Sequence, residues 1–165
     1  VQRGCPETLF LFRTKPRKTK LRSPGPGPIT KNDWKPVANR LLKNKFIFLH
    51  TDGAKSYRLS RTIPGVIHDY VVHKRKKIRG KWVKPNYVQL FHHTLPSGRV
   101  VYTKGGTQII DRFWSTLRKH MGQRAKKVQS VQTEARVRSA QWEYWHRGQD
   151  MWDAMGNTLR SVLEE

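Results

Sequence analysis

Residues Lys45-Phe46-Ile47-Phe48-Leu49-His50 form a nearly continuous apolar run bounded by charge. A run this short, rich in large and branched side chains, suits a strand buried on both faces, as in the centre of an α/β sheet. It closes on Thr51-Asp52-Gly53, and glycine lets the chain turn sharply after the acid.

Other elements follow from local pattern. Residues 8–12, after a Cys-Pro-Glu turn, predict a short strand. Residues 13–22 are basic, and Ser23-Pro24-Gly25-Pro26-Gly27-Pro28 reads as a linker-like loop. Thr30 or Asp33 can cap a helix with Pro36 in its first turn and Val37, Leu41 and Leu42 as its apolar stripe. A short helix over 54–59 and a strand over 66–73 come next, then Lys74-Arg75-Lys76-Lys77 as a solvated basic segment. Residues 87–94 and 99–103 flank Leu95-Pro96-Ser97-Gly98 as a hairpin. The clearest helix spans 107–120, where Ile109, Ile110, Phe113, Trp114, Leu117 and Met121 share a face and Gly122 can end it. Two tail helices are expected over 128–146 and 151–163, with Trp142, Trp145 and Trp152 as packing material and Glu143 paired to Arg147.

Charge bounds the function classes. The chain has 165 residues, with 34 Lys and Arg against 11 Asp and Glu, a formal charge of +23. Such a chain should bind a polyanion, and nucleic acid is the first candidate. Six Trp and 10% aromatic residues argue against a disordered polycation. One cysteine excludes a disulfide framework and a cysteine-based zinc site. No apolar run approaches the roughly 20 residues of a membrane span, so the expectation is an intracellular protein, nuclear or nucleoid-associated, with no membrane partner. The basic runs 13–22, 74–84 and 123–127, with Tyr and Trp between them, favour a phosphate-tracking surface. Adjacent His92 and His93 would face opposite ways in a strand, as would His68 and His73, which disfavours histidine metal ligation.

Two acids stand out by position. Asp52 ends the apolar strand, where ligands sit in open α/β sheets. Asp111 lies beside the stripe of the 107–120 helix, with Arg118 seven residues on along the same edge. If the helix packs on the sheet, the two carboxylates can converge on a hard cation such as Mg²⁺. The alternative stays open at this point: Asp52 caps the following helix and Asp111 makes a surface salt bridge.

His50-Thr51-Asp52-Gly53-Ala54-Lys55-Ser56-Tyr57 resembles the "TDG-x-x-x-Y" block of the ISXO-like, insertion-sequence-derived DDE transposases. Val71-Val72-His73 resembles that group's "V-N-H" strand. The stretch from Thr107-Gln108 through Asp111, Trp114, Leu117 and Arg118 resembles its "TN-x-x-E-x-x-W-x-x-L-K" helix. The resemblance covers residues 1–122. It implies a ribonuclease H-like α/β fold, a mixed sheet flanked by helices, with residues 123–165 as a helical C-terminal extension. It also implies DNA as partner, Mg²⁺ or Mn²⁺ as cofactor, and metal-dependent phosphodiester cleavage and strand transfer in the transposition of a mobile element. By position, Asp52 and Asp111 would be catalytic metal ligands. Arg118 would contact DNA phosphate, with Lys55, Lys74, Arg75, Lys76 and Lys77 as further nucleic-acid contacts. A homo-oligomer is left open.

Three departures go with this. The family's first aspartate has no match among residues 1–51; Val1 is not an initiator methionine, and that acid is expected upstream of it. The final glutamate is Asp111, which leaves Gln108 or Asp111 as the third ligand, and the family's lysine is Arg118. The expectation is a transposase domain fragment inactive by itself, with its status as an enzyme open. The alternative is a non-catalytic basic nucleic-acid-binding module, either a domesticated transposase descendant or an RNA-binding protein.

Overall fold

A computed structural model describes residues 1–14, 28–73, 75–122 and 131–164. Residues 15–22 of the first basic run, the Pro-Gly loop at 23–27, Lys74, the basic stretch 123–127 and residues 128–130 of the first tail helix lie outside the described residues. The fold is mixed α/β and divides into two compact units, Phe12–Gln108 and Val1–Leu11 with Ile109–Glu165. The sequence suggests a boundary after residue 122; by contacts, the N-terminal segment and most of the preceding helix group with the tail helices.

In Phe12–Gln108, helix α1 (Lys31–Leu42) opens with a reciprocal cap. Thr30 Oγ1 accepts the Asp33 N–H at 3.3 Å, and Asp33 Oδ2 accepts the Thr30 N–H at 2.8 Å. Both expected capping residues are used, one from each side. Pro36 falls in the second turn rather than the first, because Thr30 and not Asp33 is the cap.

Strand β1 (Ile47–Asp52) pairs in parallel with β2 (Val66–Val71), in register from Ile47 opposite Val66 to Asp52 opposite Val71. Parallel neighbours need a crossover, and residues 53–65 supply it through a 3₁₀ helix, Lys55–Thr62. Ala38, Leu42 and Val66 form the core beneath, with Trp34, Leu41, Ile47, Leu49 and Ile63 packed on it. Trp34 stands edge-on to Tyr57 at 4.8 Å and donates its Nε1–H to buried Ser60 Oγ at 2.9 Å, which fastens the crossover to α1.

β1 is not buried on both faces as its composition suggests; residues 47–50 are half-buried. Its two faces have different covers. Ile47 and Leu49 meet the α1 core, while Phe48 and His50 lie against rings of the next hairpin, His93 at 5.0 Å and Phe91 at 6.2 Å. That hairpin is β5 (Gln89–Thr94) with β6 (Val100–Gly105), turning where Leu95-Pro96-Ser97-Gly98 predicts. Gly105 is needed there, because a Cβ would stand 2.5 Å from the Phe91 ring.

The expected solvated segment is instead a second hairpin, β3 (Lys76–Ile78) and β4 (Lys81–Val83). Its two-residue turn places Arg79 at φ 47° and Gly80 at φ 80°, the left-handed pair that suits the twist of short hairpins. Among the described residues the strands form three two-stranded sheets.

In the other unit, α2 (Gln108–Met121), α3 (Val131–Trp145) and α4 (Met151–Leu163) form where helices are expected. Gly122, at φ 60°, returns its N–H to the Arg118 and Lys119 carbonyls at 3.3 and 3.2 Å. Phe113 of α2 is 1% exposed and meets Tyr144 of α3 edge-on at 5.2 Å. Glu143 pairs with His120 at 3.0 Å, so it bridges α2 and α3 rather than following the expected i,i+4 pairing with Arg147.

Residues 8–12 are not a strand. Pro6–Thr8 is a 3₁₀ turn, and the carbonyl of buried Leu9 accepts Gln141 Nε2–H and Trp145 Nε1–H, each at 2.9 Å. Side chains of α3 thus take the bonding that a neighbouring strand would supply. Among the described residues no helix is long and apolar enough to cross a membrane.

Gly65 joins the crossover to β2 at φ 82°, and a Cβ there would stand 2.6 Å from the Lys45 carbonyl oxygen. Gly65→Ala should therefore destabilise this unit by about 2 kcal/mol or more. Native-state hydrogen exchange should show β1 and β2 amides losing protection, with those of α3 unchanged.

Candidate functional site

Asp52 is exposed at the carboxyl end of β1. Its Oδ1 accepts the Ala54 N–H at 3.0 Å, a local turn that fixes the start of the crossover. The two ends of the Thr51-Asp52-Gly53…Tyr57 block sense one another: burial and then the charge of Asp52 push the Tyr57 phenol above its usual value near 10. Lys55, the first residue of the 3₁₀ helix, is exposed beside them.

Behind Asp52 the strand pair is polar inside. Thr51 Oγ1 donates to the Asp52 carbonyl at 2.8 Å and lies 2.8 Å from Nε2 of buried His68. The hydroxyl has one proton, already committed to the carbonyl, so His68 must donate from Nε2. Its buried Nδ1 is then an acceptor with no hydrogen-bond partner among the described residues. Burial first, with Arg61 adding to it, holds the His68 imidazole below its usual 6.5.

On β2 the acid next to His68 is also engaged. Asp69 Oδ2 is 2.8 Å from His93 Nε2 and 3.7 Å from His50 Nδ1, a half-buried cluster that latches the β5–β6 hairpin to β1 and β2. As expected, adjacent His92 and His93 diverge: His92 is exposed beside Tyr102. His73, beyond the end of β2, has its Nε2 3.5 Å from Thr107 Oγ1. The Asp69 cluster escaped the sequence reading because it is set by register across three strands, not by spacing.

Asp111 is exposed in the first turn of α2, where an acid suits the positive end of the helix dipole. Gln108 opens the same helix, and Arg118 is exposed in its last turn. Asp52 belongs to the unit Phe12–Gln108 and Asp111 to the other. Among the described residues, no group of three or more His, Cys, Asp or Glu could hold a metal ion. Carboxylate oxygens are nonetheless the right donors for Mg²⁺, which commonly takes only one or two carboxylates and completes its shell with water and substrate phosphate.

Of the predicted basic contacts, Arg75 and Lys77 are exposed at β3, and Lys76 occupies its first position. Arg75 Cζ lies 5.6 Å from the centre of the Trp82 ring, Trp82 is 63% exposed, and Lys77 is its cross-strand partner. An exposed indole framed by cations was not singled out from sequence, although Lys81-Trp82 after a Gly80 turn carries the signal.

Comparison with protein-family models, curated proteins and solved structures finds no match for this chain.

His68 gives the site a testable acid limb. The unfolded chain takes up its imidazole proton near pH 6.5, whereas the folded chain resists until lower pH. Its contribution is therefore fully present above about pH 6.5 and lost as pH falls below that through the lower value of the folded state. Urea midpoints at pH 7.5 and 5.5 should show a fall that is smaller in His68→Gln than in the unsubstituted chain.

Proposed function

We propose that this chain is part of a DDE transposase domain of the ISXO-like kind, with a ribonuclease H-like core, that binds DNA and carries two acids of a metal-dependent phosphodiester site. The observation that carries the reading is the setting of Asp52: it closes a strand paired in parallel with the next, and the crossover begins at once with Gly53. That is the β-strand terminus such a fold uses for its ligands. Helix α2 supports the reading by bearing Asp111 in its first turn and Arg118 in its last.

In this reading Asp52 and Asp111 are the acids that would ligate Mg²⁺ or Mn²⁺ brought with the DNA. That ion supplies charge neutralisation of the phosphodiester and activation of the attacking hydroxyl. Arg118, Lys55, Arg75, Lys76 and Lys77 hold phosphate, and the chain acts where DNA is, in nucleus or nucleoid. Two acids hold and place such an ion poorly, so strand transfer by this chain alone is not expected.

The second reading, a basic nucleic-acid-binding module without chemistry, is favoured by the β3–β4 hairpin. A Trp82 ring beneath Arg75 needs no metal to engage a nucleic acid.

Fluorescence anisotropy on a short DNA duplex separates the two. Without divalent ions, Asp52→Asn should bind as tightly as the unsubstituted chain or slightly tighter, having lost one negative charge. In about 1 mM Mn²⁺ the unsubstituted chain should gain at least about threefold over both Asp52→Asn and Asp111→Asn, whose matched ionic strength cancels screening. Ratios that Mn²⁺ leaves unchanged would leave the binding module standing. In either case Arg75→Gln with Lys77→Gln should flatten the plot of log K against log salt by about one to two.

A further inference from the structure

Successive side chains of a two-stranded ribbon alternate between its faces, which sorts the β3–β4 hairpin into two. Lys77 and Trp82 are cross-strand partners on one face. Arg75 is the diagonal neighbour of Trp82 on that face, its Cζ 5.6 Å from the ring centre. The same register, continued by one pair, sets Lys84 opposite Arg75. Lys81 belongs to the other face. Between Asp69 and Asp111 the chain carries no acid. Arg75, Lys77 and Lys84 are exposed, and no described acid pairs with any of them. One face of the hairpin is thus an indole framed by three uncompensated cations.

Trp82 is 63% exposed, and among the described residues the Arg75 guanidinium is the one group set against its ring. Trp152 of α4 is more exposed still, at 78%, so it does not pack as its helical spacing suggests, but no described cation lies over its ring. Phosphate contact alone would need the cations and not the indole. A duplex stacks the flat faces of its bases on one another and offers a protein their edges and its phosphates. A flat ring turned to solvent finds its match instead in a strand whose bases are unstacked. We propose that this face takes an unpaired base of a single-stranded nucleic acid, stacked on the open side of Trp82, with the flanking phosphates held by Arg75, Lys77 and Lys84.

The spacing suits such a strand. Arg75 and Lys77 are two residues apart along an extended segment, about 7 Å, close to the separation of successive phosphates in a stretched strand. Arg75 serves twice, since its planar guanidinium lies over the ring while its N–H edge is free for a phosphate oxygen. Nothing on this face reads a base edge, so stacking is tolerant of sequence and engages DNA and RNA strands by the same contacts. The site needs neither Asp52 nor Asp111 and rests only on the chain being a nucleic-acid binder.

Fluorescence anisotropy of the full chain in EDTA, so that no divalent ion takes part, compares an oligothymidylate of about 12 residues, which does not pair with itself, with a duplex of the same length. Trp82→Leu, apolar but not flat, should lose about tenfold on the single strand, the scale of one stacked base, and stay within about twofold on the duplex. Trp82→Phe, which keeps a stacking face, should hold single-strand affinity to within about threefold. Lys77→Gln should cost the single strand more than Lys81→Gln, which removes the same charge from the other face. Oligouridylate should show the same Trp82 dependence, and the tighter of the two strands identifies the preferred source. Equal losses on strand and duplex, no loss on either strand, or Trp82→Phe as weak as Trp82→Leu would overturn the proposal while duplex binding leaves the wider reading intact. A chain that binds neither strand nor duplex would overturn both.

Discussion

Parallel pairing of β1 with β2 is the constraint from which most of the Phe12–Gln108 unit follows. Parallel neighbours cannot be closed by a tight turn, so the chain must leave the sheet at Asp52 and travel back before entering Val66. Each detail of that journey has a cause. Asp52 holds the Ala54 N–H to start it, Trp34 binds Ser60 to keep it on α1, and Gly65 passes under the Lys45 carbonyl to finish it. The same pairing sets His50 opposite Asp69, which gives the β5–β6 hairpin its polar anchor through His93. Stability and the setting of Asp52 are therefore consequences of one topological fact.

Acids are scarce here, and most with a visible partner serve structure. Asp33 and Asp150 cap helices, Asp69 anchors a hairpin, and Glu143 ties α3 to α2 through His120. The cations have no comparable supply of partners, so a chain at +23 keeps a strong positive field at its surface. That field fits a phosphate-rich partner whether or not the chain performs chemistry. What distinguishes Asp52 from the other acids is its place at an exposed strand end where the backbone turns away.

The sequence was most legible where a local pattern decides the outcome. The stripe of α2 with Gly122 behind it, the bounds of α4 and the Leu95-Pro96-Ser97-Gly98 hairpin all follow from spacing and turn chemistry. It was least legible where distant groups decide. Residues 8–12 have the composition of a strand, but the Leu9 carbonyl is claimed by Gln141 and Trp145, more than 130 residues away. The β3–β4 hairpin was hidden by its own charge, since lysines and arginines mask the one turn signal at Arg79-Gly80. Of the candidate site, the positions of Asp52 at a strand end and Asp111 on a helix were readable. The histidine tautomer behind Asp52 was not, because it depends on a single hydroxyl proton.

We propose that Asp52 and Asp111 are the acids that bind the divalent ion. The most direct measurement is paramagnetic broadening of the amide spectrum by substoichiometric Mn²⁺. The account predicts that the Gly53 and Arg112 signals broaden together and that Asp52→Asn abolishes both effects. Broadening at one of them alone, or broadening indifferent to Asp52→Asn, would contradict it.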